Sequence, residues 1–225
     1  MEIKGKRVIV LDVCGTLVND NTTVGLIGYH LSKHDKYFRL ATLKTFSHRI
    51  SPVLWLAILA EKIFNRHFVK YVIIYLLRGE KEEELQISAN EYAEFLWKFK
   101  QVAPVQHLLL TLPEFNDIVL ASASLSPIVS SLAKFLDTTK FVSSELSSCN
   151  GILDGKYLKD LTGVKDRALV EKFGDEFFFH PFCIVSDNIS DKSLFVKSSK
   201  SFAVLNKKSH KGKWKEVKTS FVINY

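Results

Sequence analysis

The chain has 225 residues, 47% of them hydrophobic and 12% aromatic with 17 Phe, a formal charge of +7 and three cysteines. That size suits one large domain or a core with a smaller insert; no run approaches the roughly 18 apolar residues of a membrane span, and the basic start before residue 8 precedes too short a run for a signal peptide. Cys14, Cys149 and Cys183 are odd in number and unpatterned, which predicts reduced thiols in a cytoplasmic protein rather than a disulfide frame or a zinc site, so the sequons at Asn21 and Asn188 carry no meaning. The positive charge implies anionic partners. Much of it lies in the run Lys207, Lys208, Lys211, Lys213, Lys215 and Lys218, which reads as a solvated edge and carries no nucleic-acid motif.

In chain order, the first predicted element is a buried strand over Arg7–Asp12, an apolar β-branched run that stops at a turn made by Gly15 and Thr16. Helical stretches follow at Leu26–Leu31, Pro52–Phe64, Phe68–Leu77 and Glu82–Val102. In the last of these, Leu85, Tyr92, Phe95, Leu96 and Phe99 share one helical face. Strands then return at Asp117–Ser122, Phe182–Asp187 and Ser201–Asn206, with helices between them. This alternation predicts an α/β fold with a parallel sheet and helices on both faces. The intervening helices form an all-helical insert folded over the sheet's active edge, a lid that excludes water and selects substrate. The boundaries are residues 1–17 and 106–225 for the core and 18–105 for the cap. Within Pro52–Leu77 the apolar runs alternate with Lys62, Arg66, His67 and Lys70; this reads as a buried helix pair, with peripheral membrane contact as the alternative.

Five residues at four places in the chain carry candidate chemistry, each place beside a plainer reading. Asp12 sits at the carboxyl end of a strand, where open α/β sheets bind ligands; alone, it is as readily a helix cap. Ser122 closes the second strand ahead of a helix over Ile128–Leu136. A hydroxyl beside free N–H groups at a helix start cradles phosphate, although a serine-rich turn looks the same. Lys165 opens a helix running to Phe173, against the macrodipole, so a partner anion would explain its placement. Asp187 and Asp191 follow the third strand. Oxygen ligands from Asp12 and Asp187 suit magnesium, and the plainer alternative is a capped turn with an acidic helix start.

The joint order is more specific than any member. Strand-Asp, strand-Ser, Lys, then strand-Asp-x3-Asp resembles the motif series of the haloacid dehalogenase-like phosphohydrolases over residues 6–17 and 107–206. The helical insert, together with the strand Phe141–Leu146 and the hairpin Asn150–Gly155 ahead of the lysine, is similar to the phosphoserine phosphatase-like branch, with its Rossmann-like core and helical cap. The resemblance implies a magnesium-dependent phosphomonoesterase acting on a small phosphorylated substrate. In it, Asp12 attacks phosphorus and forms an aspartyl-phosphate, Ser122 binds a phosphoryl oxygen, and Lys165 neutralises charge between them. Asp187 holds Mg2+ directly, Asp191 supports the metal from behind or through water, and the backbone carbonyl of Cys14 also reaches it.

Cys14 departs from the family's usual DxDGT, and Ser190 replaces the Asn usual in its last motif. The missing second acid would protonate the leaving oxygen and then activate water, help worth about 10²–10⁴-fold. A thiol near pKa 8.5 still donates a proton but is a poor base at neutral pH. The substitution therefore implies slow or atypical turnover, with good leaving groups favoured or the phosphoryl group passed to another acceptor. The alternatives are a phosphate-binding scaffold that has lost turnover, or a phosphotransferase. Dehalogenases also lack the second acid, but they need no metal and the Asp187/Asp191 pair argues against them.

Overall fold

A computed structural model describes residues 7–47, 55, 68–112, 114–115, 117–206 and 208–223. The expected helix at Pro52–Phe64, and Arg66 and His67 beside it, lie outside the described residues except for Trp55. Seven strands form one sheet in the order β4-β3-β2-β1-β5-β6-β7. They are β1 (Val8–Leu11), β2 (Asp117–Leu125), β3 (Phe141–Cys149), β4 (Ile152–Lys159), β5 (Phe182–Ser186), β6 (Lys200–Leu205) and β7 (Ser220–Ile223). All neighbours are parallel except β3 and β4. That hairpin turns at Asn150 and Gly151, both at positive φ, 53° and 75°, the pairing that a tight hairpin turn demands. The final strand β7 went unpredicted, because Ser-Phe-Val-Ile is too short to show a period.

The central strands read as continuous apolar runs because both faces are covered. Ile9, Leu11, Leu120, Cys183 and Val185 point to one side and Val8, Val10, Val119, Phe182 and Ile184 to the other, each set inside its own buried cluster. The second side is closed by α7 (Lys165–Phe173), α8 (Lys192–Lys197) and Trp214.

Between β1 and β2 the chain forms α1 (Thr22–Lys33), α2 (Tyr37–Ser47), α3 (Phe68–Tyr75), α4 (Glu82–Phe99) and α5 (Ala103–Leu110). Its exit and return are tied side by side: Asn19 N donates to Lys100 O at 2.8 Å and Val102 N to Leu17 O at 3.1 Å. Leu26, Ile27, Leu85, Ala89 and Leu96 share one continuous buried cluster with Leu11 and Leu120, and with Ile128 and Leu132 of α6 (Ser126–Lys134). The inserted helices are thus packed into the same core as one face of the sheet. One expectation fails in α4: Leu85, Tyr92 and Leu96 are buried, but Phe95 and Phe99 are exposed. The inward face follows Leu85-Ala89-Tyr92-Ala93-Leu96, so small Ala residues take the places a count of large side chains gives to Phe. Phe95 and Phe99 instead pack on each other, ring centroids 5.4 Å apart.

Candidate active site

Strand order brings three of the predicted residues together. β2, β1 and β5 are adjacent and parallel, and Leu11 is in register with both Leu120 and Val185. Asp12, Ser122 and Asp187 therefore emerge from one sheet edge, the place where ligands bind in such sheets. All three, with Cys14 and Lys165, line a single cavity of about 450 Å³. Asp191 does not line it and lies behind Lys165 instead.

Asp12 is buried and held from several sides. Its Oδ1 accepts the Val13 amide at 2.7 Å and faces Lys165 Nζ at 3.0 Å. Lys165 also donates to Asp191 Oδ2 at 2.7 Å. Burial works to lower the lysine's pKa, but the carboxylates of Asp12 and Asp191 overcome it and hold the ammonium above its ordinary range. The anions sought for a lysine at a helix start are these two acids. Ser186 Oγ, 2.7 Å from Asp191 Oδ2 and 3.4 Å from Asp12 Oδ2, knits the group from below.

Thr16 fixes Asp187. Its hydroxyl accepts the Asp187 amide at 2.9 Å and donates to Asp187 Oδ1 at 3.2 Å. Gly15 between them has φ 74°, and a Cβ built there would lie 2.2 Å from Asp187 Oδ2. Burial, then the neighbouring Asp12, push the Asp187 carboxyl up to about 7.

The cluster is short of positive charge: Asp12, Asp187 and Asp191 face one ammonium, and Asp191 Oδ1 is buried without a hydrogen-bond partner. Among the described residues no group of three or more His, Cys, Asp or Glu side chains is arranged as a metal site. A cation here would draw on two carboxylates, a carbonyl and non-protein oxygens. Magnesium tolerates such a set because it keeps several waters and needs few protein ligands, all of them hard oxygens. The donors fit that ion; a thiolate ligand is not offered. The Cys14 thiol donates to the Asp20 carbonyl at 3.2 Å, and burial, with Asp12 beside it, pushes its pKa up to about 11.

Ser122 differs from its expected setting. β2 runs on to Leu125, and its pairing with β3 slips between Ala121 and Leu125, so α6 starts four residues beyond Ser122. The hydroxyl sits in a bulge rather than at a helix N-terminus. It donates to Ser124 Oγ at 3.0 Å, and Ser124 Oγ lies 2.6 Å from Thr22 Oγ1 of α1. Ser124 and Thr22 escaped the sequence reading because single hydroxyls carry no local signature.

The opposite wall comes from the inserted helices, through Val24, Val69 and Ile73, and from β4, through Tyr157. Lys70 of α3 reaches the core, binding Asp160 through both carboxylate oxygens at 2.6 and 2.7 Å and crossing the Tyr157 ring at 4.9 Å. Arg39 of α2 is spent within the insert, donating to Glu80 at 2.7 Å and to the carbonyls of Leu76 and Arg78. No helix among the described residues is long and apolar enough to cross a membrane.

No family model matches the chain and no curated protein matches it. Solved structures do. A protein of unknown function from Bordetella pertussis Tohama I aligns over 98% of this chain and 99% of its own, at 11% identity and a TM-score of 0.76. A phosphoserine phosphohydrolase-like protein from Francisella tularensis aligns over 96% and 94%, at 16% identity and a TM-score of 0.60. A phosphoserine phosphatase solved as a phospho-aspartyl intermediate analogue aligns over 99% and 95%, at 17% identity and a TM-score of 0.55. The chain therefore has the haloacid dehalogenase-like fold in its phosphoserine phosphatase-like form, a Rossmann-like core with a helical cap inserted after the first strand.

Proposed function

We propose that the protein is a magnesium-dependent phosphomonoesterase acting on a small phosphorylated substrate through an aspartyl-phosphate at Asp12, with residues 18–105 serving as the cap. The observation that carries this reading is the convergence of Asp12, Lys165, Ser122 and Asp187 on one cavity at the carboxyl edge of the sheet. Phosphoryl transfer draws its catalysis chiefly from positioning and charge neutralisation, which these groups supply.

In this reading Asp12, oriented by the Val13 amide and Lys165, attacks phosphorus. The bond from phosphorus to the ester oxygen breaks as the bond to the carboxylate forms. Lys165 stays charged and offsets negative charge between nucleophile and phosphate. Ser122, backed by Ser124 and Thr22, holds a phosphoryl oxygen. Asp12, Asp187 and the Cys14 carbonyl would hold Mg2+, which when bound neutralises the phosphate and supplies the missing positive charge; Asp191 supports Lys165 from behind. Cys14 offers a weak acid and no effective base, so water attacks the aspartyl-phosphate slowly.

The test is an assay with aryl and acyl phosphates and magnesium, comparing the protein with Asp12→Asn. Hydrolysis abolished by Asp12→Asn is the expected result, and hydrolysis unaffected by it overturns the reading. The second reading, a phosphate-binding scaffold, is favoured by Cys14 itself. It wins if no ester or acyl phosphate reacts while inorganic phosphate or beryllium fluoride still binds.

A further inference from the structure

Resting on the proposed phosphomonoesterase, we infer that the site takes phosphate esters whose alcohol portion is apolar and aromatic rather than a zwitterionic or polyhydroxylated one. Among the described residues, the apolar part of the cavity wall is built from Val24, Val69, Ile73, Ala123 and Tyr157. Polar groups on the same wall include Asn21, Thr23, Lys70, Thr162 and Asn188, and several already have partners within the protein. Asn21 caps α1 by accepting the Val24 amide at 3.2 Å, and Asn188 accepts the Ser190 amide at 3.0 Å. Lys70, the cation on that wall among the described residues, is bound to both oxygens of Asp160 and to the Thr162 hydroxyl. A substrate carboxylate would have to displace Asp160 to recruit Lys70, and a substrate ammonium would have to displace a backbone amide to recruit either asparagine oxygen.

Cys14 points the same way by a separate route. The thiol proton is directed to the Asp20 carbonyl at 3.2 Å, so the leaving oxygen receives little protonation. An aryloxide, with a pKa near 10 like that of tyrosine, carries off the electron pair of the broken phosphorus–oxygen bond and takes its proton later from water. An alkoxide has no such ease.

Phosphonates, which cannot be hydrolysed, test the wall apart from the chemistry. With magnesium present, titration calorimetry should show benzylphosphonate binding at least about tenfold more tightly than 2-amino-3-phosphonopropionate, since a single methylene in an apolar pocket discriminates by about 10–200-fold. Val24→Gln and Ile73→Gln should each erase most of that preference. Equal affinities, or tighter binding of the amino acid phosphonate, overturn the inference, and hexylphosphonate binding above benzylphosphonate overturns its aromatic part. Neither result touches the role of Asp12, which stands or falls by the Asp12→Asn assay. The wild-type protein should also hydrolyse 1-naphthyl phosphate with a kcat/KM at least about tenfold above that for phosphoserine.

Discussion

Gly15 stands directly against the carboxylate of Asp187: the space a side chain would need at residue 15 is occupied by Asp187 Oδ2. Gly15→Ala would strain a left-handed residue by about 1–2 kcal/mol and push Asp187 aside. Displacing a reacting group by about 1 Å costs on the order of 100-fold in rate. The expected outcome is activity lowered to that extent with a folded protein by circular dichroism; wild-type kcat/KM would show that Asp187 has no fixed task.

Cys14 is the residue to restore. Cys14→Asp returns the acid-base group, and the rate of aryl phosphate hydrolysis should rise by about 10²–10⁴-fold. Single-turnover measurements should place most of the gain in breakdown of the phosphoenzyme. A fall in rate would show that the site has been rebuilt around the thiol.

Lys165 holds Asp12 and Asp191 in a buried cluster. Lys165→Met leaves both acids without their cation, and breaking such a pair costs about 3–5 kcal/mol. In a chain of this length each kcal/mol moves Tm by about 2–4 °C, so calorimetry should show a drop on the order of 10 °C together with loss of activity. An unchanged Tm would mean that the two carboxyls are already neutral in the wild type.

Within the cap, His30 is fully buried between Ser88 Oγ at 2.9 Å and Glu80 at 3.3 Å. His34 and Glu84 lie close, and Arg39 and Lys36 face Glu80. Burial, the largest cause, holds the His30 pKa below its ordinary value. The unfolded chain then binds the proton more readily, so this contribution to stability is complete above about pH 6.5 and is lost as pH falls from there to the folded pKa. Thermal melts should show Tm falling below pH 6.5, and His30→Gln should flatten that slope.

Lys70 and Asp160 join the insert to the loop that precedes Lys165. A partly exposed pair adds only about 0–1 kcal/mol to stability, but Lys70→Ala leaves a bare carboxylate beside the cavity proposed to take phosphate. Tm should stay within about 4 °C of wild type, while kcat/KM falls about tenfold, the effect of roughly 1.4 kcal/mol of unscreened repulsion. Asp160→Asn in the same background should recover most of it.

Much of this molecule was legible in one dimension. Runs such as Val8–Leu11 and Phe182–Ser186 declare buried parallel strands because both their faces are covered, and Asp12, Lys165 and Asp187 stand at element boundaries where local pattern changes. What periodicity cannot carry is the order in which strands pair. Only the arrangement β2-β1-β5 turns residues 12, 122, 165 and 187 into one site, because side chains far apart in sequence meet through packing that no local repeat encodes. The same holds for the bulge that moves Ser122 away from a helix start, for the exposure of Phe95 and Phe99, and for the reach of Lys70 across to Asp160. Each was decided by which surface the folded neighbours left open, a property of volumes and hydrogen-bond partners assembled in space.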